Sequence, residues 1–307
     1  MKIRIITPTF NEKENILIVY ESIKKVMANL NIEYDHVVID NNSHDGTYEI
    51  LKNIASIDKS FKVIINQKNF GHAKSPYYAL LLDSKADATI MLMADLQDPI
   101  EKIPELIKHY EYGNQIVLLQ RNKSSNNFIT RKLKEIYYFL INKFSEDKPK
   151  KNIIGSGLYS KDVLDILRKI YDPNPYLRGQ IFELGFKIKT ISFDQQKRVH
   201  GHSKNNLYTL IDFALIGMVK HTKLFRILTF FGLIFSTFSM LIALTFFILK
   251  IIFWNYFSLG IAPIVIGLFF LSSIQIFFLG ILGEYLGLVL EYNKKLPLVI
   301  EKERINF

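Results

Sequence analysis

The sequence predicts an α/β fold, a mostly parallel sheet with helices on both faces, followed by a membrane anchor. Three observations carry this expectation. Short apolar runs alternate with segments of helical periodicity from Ile3 to Phe193, the pattern of strands joined by crossover helices. Polar residues collect each time such a strand hands over to a helix, as they do at the ligand-binding edge of open α/β sheets. The apolar excess of a chain that is 49% hydrophobic lies mostly at the C-terminal end, where residues 227–249 carry no charge.

In order, Ile3 to Thr7 reads as the first strand. Pro8-Thr9-Phe10-Asn11-Glu12 then turns into a helix with Ile16, Val19, Ile23 and Val26 at helical spacing. His36 to Ile39 is the second strand, closed by the polar stretch Asp40 to Thr47, after which Tyr48 to Ala55 is helical. Phe61 to Ile65 is the third, followed by the turn Asn69-Phe70-Gly71-His72 and a helix over Ser75 to Leu82. Ala88 to Met93 is a buried fourth strand stopped by Pro99, which leaves Asp95, Gln97 and Asp98 at its C-terminal edge. Leu106 to Tyr110 continues a helix, and Gln115 to Leu119 is a strand with Arg121 at its end, facing the same edge as Asp95. Arg131 to Phe144 and Asp162 to Ile170 are helical, Gly155-Ser156-Gly157 permits unusual backbone angles, Tyr171 to Pro175 breaks the helix, and Ile188 to Phe193 is a strand.

Beyond the α/β domain, taken as residues 1–205, the character changes. Leu207, Leu210, Ile211, Ala214, Leu215 and Met218 recur at helical spacing ahead of Lys220, Lys223 and Arg226, so residues 206–226 read as an amphipathic helix on an anionic membrane surface. Residues 227–249 make about 35 Å of helix at ~1.5 Å per residue, enough for a bilayer core of roughly 30 Å, and residues 259–283 can cross back. Trp254, Tyr256 and Phe257 suit the interface at the hairpin turn. Basic residues crowd the two outer ends, so the positive-inside rule puts the α/β domain and the tail 284–307 in the cytoplasm, with a multi-pass anchor in the inner membrane.

Composition narrows the chemistry. The absence of cysteine excludes a disulfide scaffold, thiolate metal sites and a cysteine nucleophile. The formal charge of +10 fits nucleic acid, an anionic membrane or phosphorylated substrates; the chain has no long basic run interleaved with aromatics, which sets nucleic acid aside. Oxygen donors at Asp95, Gln97 and Asp98 suit a hard divalent cation holding a phosphate, and the same residues read equally well as a polar turn capping the next helix. Asp40, ending the second strand, can cap the following helix, while Asp45 before Gly46-Thr47 reads as the cap itself.

Taken together, Pro8-Thr-Phe-Asn-Glu12, Asp40-x-x-Ser-x-Asp-Gly-Thr47, Asn69-Phe-Gly71 and Asp95-Leu-Gln-Asp-Pro99 resemble the family-2 GT-A glycosyltransferases. With Arg198-x-x-Gly-x-Ser-Lys204 and the C-terminal hairpin, the resemblance sharpens to the polyprenyl-phosphate type and covers nearly all of residues 1–290. It implies a nucleotide-sugar donor, UDP-linked, held by Pro8, Glu12, Asp40, Asn69 and Gly71, and Mg²⁺ or Mn²⁺ on Asp95 and Gln97. It implies inverting transfer of a hexose to a polyprenyl phosphate gripped by Arg121, Arg131, Arg198 and Lys204, with Arg178 and Glu183 as lesser candidates, in a homotetramer. Three departures stand out: Met93 where many members have an outer acid, Asn41-Asn42 where Asp-Gly is commoner, and Gly155-Ser-Gly-Leu in place of an arginine-bearing pattern. The competing expectation is a membrane-bound scaffold of the same fold without catalysis, supported by Met93.

Overall fold

The computed structural model describes residues 1–122, 152–195, 224–253 and 260–307. They fall into two compact units, Met1–Ile216 with Lys295–Phe307, and Gly217–Lys294.

The first unit is built from strands β1 (Lys2–Thr9), β2 (Glu33–Asp40), β3 (Phe61–Asn66) and β4 (Ala88–Met91), separated by helices α1 (Lys13–Leu30), α2 (Thr47–Ile57) and α3 (Gly71–Leu80). These strands are parallel, and their register sets Thr9 opposite Asp40 and Asp40 opposite Ile65, so the C-terminal ends line up along one edge. Then come a 3₁₀ turn (Ile100–Lys102), α4 (Ile103–Glu111), β5 (Ile116–Arg121), β6 (Ile153–Ser160), α5 (Lys161–Arg168), α6 (Leu177–Glu183) and β7 (Ile188–Phe193). A last strand, β8 (Glu301–Ile305), completes an eight-stranded sheet in the order β7-β5-β6-β4-β1-β2-β3-β8. Strands β1 to β5 and β7 run one way; β6 and β8 run against them. Ile3, Ile5, Ile90, Val117 and Leu158 pack with Val19, Ile23 and Leu106 from the helices, and the burial of such side chains is what holds the layers together.

Strand β6 has no counterpart in the expectation from sequence, because its glycines read as breakers. Gly157 is required there: a Cβ at that position would lie 2.3 Å from the Val117 carbonyl oxygen, so only glycine lets β6 approach β5. Being antiparallel, β6 starts at the edge where its neighbours β4 and β5 end, which delivers Gly155 and Ser156 to that edge.

The C-terminal segment, expected as a tail over 284–307, is structured. It continues helix α8 (Ile261–Lys294) past residue 283 and then supplies β8, antiparallel to β3. Tyr48 Oη donates to Glu303 and Tyr78 Oη to Glu301, each at 2.7 Å, and the Asn306 amide caps the carbonyls of Ala55 and Phe61. Its alternating sequence, with charged Glu301, Glu303 and Arg304, is suited to a sheet edge.

Early in β1 and β2 lies a charged cluster. Arg4 Nη2 and Lys62 Nζ meet Asp35 Oδ2 at 2.9 and 3.0 Å, and although burial opposes its ionisation these cations hold the Asp35 carboxyl below its ordinary range. Next to it the fully enclosed His36 pairs with Thr7 Oγ1 at 2.9 Å and stacks edge-on against Phe61. Burial pushes its imidazole from an ordinary value near 6.5 down to about 3.

The second unit contains α7 (Leu224–Ile252) and α8. Phe231 and Phe235 of α7 and Ile274, Phe277 and Phe278 of α8 line one groove. Among the described residues one helix, Gly267–Lys294 with mean hydropathy 1.8, is long and apolar enough to cross a membrane. It exposes Phe269, Phe270, Phe277, Leu279, Leu286 and Leu290. The amphipathic helix expected over 206–226 lies, up to residue 223, outside the described residues.

Two outcomes test this fold. Gly157→Ala is expected to destabilise the protein by about 1–3 kcal/mol through overpacking, read from urea unfolding. Above pH 6.5 His36 is neutral whether folded or unfolded; as pH falls from there towards 3 only the unfolded chain takes up its proton, so stability is lost across that window. The wild type should therefore lose stability faster than His36→Gln by up to ~1.4 kcal/mol per pH unit, measured by denaturant titration.

Candidate functional site

Backbone ladders end at the C-terminal edge of β1, β2, β3 and β4, and the amides beyond them need partners from side chains. The loops after β1 and β2 provide them for each other. Asn11 N donates to Ser43 Oγ at 2.7 Å and His44 N to Asn11 Oδ1 at 2.9 Å. Glu12 N donates to Thr47 Oγ1, and Lys13 N to Asp45 Oδ2. Asp45 also accepts from the Thr47 amide, so it braces the start of two helices at once. Asn11 and Asn42, at φ 54° and 65°, are the positions where the loops turn, a conformation asparagine tolerates better than most residues.

Asp40 closes this pair of loops from below. It is fully buried and accepts from Ser43 N at 2.9 Å and Ser43 Oγ at 2.5 Å, which holds the loop after β2; the following helix begins only at Thr47, so Asp40 does not cap it. Burial raises its carboxyl above the ordinary range in spite of the Ser43 bonds. Pro8, half-buried, lies opposite Ile39 one register step before the edge, and Glu12 accepts from the Asn15 amide at 2.6 Å as α1 begins.

Asn41 is the hub of the next loop. Its Oδ1 accepts from Phe70 N and from Asn66 Nδ2, and its Nδ2 donates to Asn69 Oδ1 at 2.7 Å and to the Gly71 carbonyl at 3.2 Å. Asn69 Oδ1 also accepts from Gly71 N, so Asn69 and Gly71 shape the entry to α3, where Gly71 takes a φ of 88°. The first asparagine of the Asn41-Asn42 departure thus has a structural job: it can donate and accept simultaneously, which an ionised aspartate cannot.

After β4 the chain makes a nested turn. Asp95 Oδ1 accepts from Gln97 N at 3.2 Å, and Asp98 Oδ2 accepts from Met93 N at 3.0 Å and from Ser156 Oγ at 2.5 Å. Leu96 sits between at φ 57°, a left-handed conformation that costs a branched residue roughly 1–2 kcal/mol and persists where packing over-determines it. Three apolar side chains provide that packing, each in a different core cluster: Met93 against Met91 and Leu164, Ala94 with Val38 and Leu51, Leu96 against the cluster of Ile3, Ile5 and Ile90. Asp95 and Gln97 are half-buried at the edge. Burial and the neighbouring Asp95 charge raise the Asp98 carboxyl, while Ser156 and Arg121 oppose the rise.

Arg121 ends β5 on the same edge, half-buried, with its amide donating to the Asn152 carbonyl at 3.1 Å. Arg178, at the start of α6, lies 5.5 Å from the Tyr176 ring and donates to the Ile153 carbonyl at 3.4 Å; Glu183 is exposed at the end of that helix. The structure therefore brings Asp40, Asn69, Gly71, Asp95, Gln97 and Arg121 to one sheet edge, while Arg131, Arg198 and Lys204 lie outside the described residues. Among the described residues no group of three His, Cys, Asp or Glu side chains could hold a metal ion by itself. The oxygen donors at Asp95 and Gln97, one carboxylate and one amide, would suit a hard cation that takes its remaining ligands from outside the protein.

Comparison with known proteins points the same way. Residues 4–167 match the family model described as glycosyl transferase family 2. A prophage bactoprenol glucosyl transferase homolog of Escherichia coli is 32% identical over 305 residues, 98% of this chain and 99% of the relative. The bactoprenol glucosyl transferase of Shigella phage SfX is 31% identical over 307 residues, 99% of this chain and 100% of the relative. In fold, the chain resembles glucosyl-3-phosphoglycerate synthase from Mycobacterium tuberculosis, solved with UDP and also with Mn²⁺, UDP and phosphoglyceric acid, at a TM-score of 0.51 and 20% identity. That match covers 70% of this chain and 76% of the synthase in its UDP complex.

Asn41→Ala would leave Phe70 N without its side-chain acceptor and Asn66 Nδ2 with Ser75 Oγ alone. A total loss of roughly 1–3 kcal/mol is expected in urea unfolding, with faster proteolytic nicking between residues 67 and 72.

Proposed function

Because the chain belongs to glycosyl transferase family 2, we propose that it transfers a hexose, with inversion, from a UDP-sugar to a polyprenyl phosphate at the cytoplasmic face of a membrane. The observation that carries this reading is likeness over the full chain, apolar helices included, to proteins named bactoprenol glucosyl transferases. The geometry supports it: the acidic turn and Arg121 share one edge of a GT-A sheet, and the same chain bears a helix able to cross a membrane.

In this proposal the laced loops around Asp40, with Pro8, Glu12, Asn69 and Gly71, form the nucleotide pocket. Asp40 and Asn41 act mainly by fixing the shape of that pocket, since their polar atoms already hold its backbone. Asp95 and Gln97 would hold Mg²⁺ or Mn²⁺, which when bound would supply positive charge to offset that building on the leaving UDP. Arg121, joined by Arg131, Arg198 and Lys204, holds the acceptor phosphate beside the anomeric carbon, where two anions meet and fixed cations lower the cost. An acceptor oxygen that is already anionic forms the new bond to that carbon as its bond to the UDP oxygen breaks, and no general base is needed. Helices α7 and α8 form the membrane hairpin that brings the lipid, and the protein assembles as a homotetramer.

Membranes carrying the protein should move labelled glucose from UDP-glucose to undecaprenyl phosphate in the presence of Mn²⁺. Asp95→Ala should lower turnover by about a hundredfold or more, as loss of transition-state charge stabilisation does. Full activity of that variant in EDTA would sink the metal role.

A further inference from the structure

We propose that Asp98 and Ser156 are a positioning pair: their buried bond ties the Asp95–Gln97 turn to β6 and so sets how tightly that turn holds a divalent cation. The inference rests on the donor-site reading above and adds to it two residues too enclosed to contact a ligand, at 5% and 1% exposure.

Packing of Met93, Ala94 and Leu96 seats the turn in the core, and hydrogen bonds of its backbone and of Asp98 set its polar geometry. The sheet ladder carries β4 as far as Leu92, whose amide donates to the Ile6 carbonyl at 3.0 Å. From there the chain closes on itself twice, through Gln97 N to Asp95 and through Met93 N to Asp98. Both closures are internal to the loop and would move with it. The bond from Ser156 Oγ to Asp98, at 2.5 Å and spanning 58 positions of sequence, ties the loop to the neighbouring strand β6.

That strand has little freedom at this point. Gly157 is packed against the Val117 carbonyl with no room for a Cβ, and the Gly155 carbonyl accepts from Tyr159 Oη at 2.6 Å. Ser156 is thus presented from a fixed frame. Without its hydroxyl, the buried Asp98 carboxylate keeps the Met93 amide but loses its anchor on β6, next to the like charge of Asp95. Relaxation of Asp98 drags Gln97 and the strained Leu96, and with them the two groups assigned to the cation. The serine that departs from the arginine-bearing family pattern at Gly155-Ser-Gly157 therefore acts on the donor side of the site.

The test uses the full chain purified in detergent and reads Mn²⁺ binding in the presence of UDP by electron paramagnetic resonance. Ser156→Ala and Asp98→Ala, each of which deletes one end of the bond, should each raise the Mn²⁺ dissociation constant by about tenfold or more, the usual cost of removing an outer partner of a metal ligand. Ser156→Thr, which keeps the hydroxyl, should restore binding, and the double variant should be no weaker than the weaker single one because both changes break one bond. A folded Ser156→Ala protein that binds Mn²⁺ within about twofold of wild type would overturn the proposal, since a purely structural role lowers the melting temperature without changing the affinity of the folded protein. Should Ser156→Ala fail to fold, unchanged affinity in a folded Asp98→Ala protein, which lacks the acceptor of that bond, decides against the proposal in the same way. Wild-type protein that binds no Mn²⁺ with UDP present would instead overturn the donor-site reading beneath it.

Discussion

A buried backbone amide must have a partner, and where the ladders of this sheet stop, the partner has to be a side chain. Short polar side chains meet that requirement along the functional edge: Ser43 and Asp45 for the loops after β1 and β2, Asn41 for the turn into α3, Asp98 for the turn after β4. These side chains are short, so each bond requires the two backbones to lie close together and fixes a narrow loop geometry. The same residues that make the fold possible thereby determine where Asp95, Gln97 and Arg121 stand. Function at this edge depends on polar satisfaction more than on the number of carboxylates, which explains how Met93 is accommodated: its side chain contributes to a core cluster while its amide is taken up by Asp98.

The parts of the fold that were legible in the sequence are those built by the hydrophobic pattern. Strands β1 to β5 and β7 announce themselves as apolar runs, and β7 falls on the residues expected, because burial on a sheet face leaves that trace directly. Strands β6 and β8 leave a different trace. In β6 the glycines that allow close approach to β5 look like loop residues, and in β8 the alternation of Glu, Lys and Arg looks like a solvated tail. Both run against their neighbours and pair with partners distant in sequence, so no local signal identifies them.

At the site the pattern repeats. The residue types at the strand ends singled out Asp40, Asn69 and Asp95, and the structure places all three at one edge. Their division of labour was not legible. Asp40 and Asn69 spend their oxygens on Ser43, Gly71 and Asn41, while Asp98, Ser156 and Asn11, which received little weight, carry the loops. A hydrogen bond between positions 98 and 156 depends on tertiary register, and register is not written at either position alone.

Strand β8 has a consequence for how the molecule comes into being. Its partner β3 is made early, but β8 follows α8 in the chain, so the outer edge of the sheet stays uncovered on the ribosome until both apolar helices have been synthesised. During that interval β3 presents unpaired amides and carbonyls, the condition that favours pairing between chains. An excerpt ending before α7 would keep this edge exposed permanently, lacking Val299, Ile305 and the Asn306 cap. The sheet of the α/β domain can thus be completed only after both apolar helices have been synthesised.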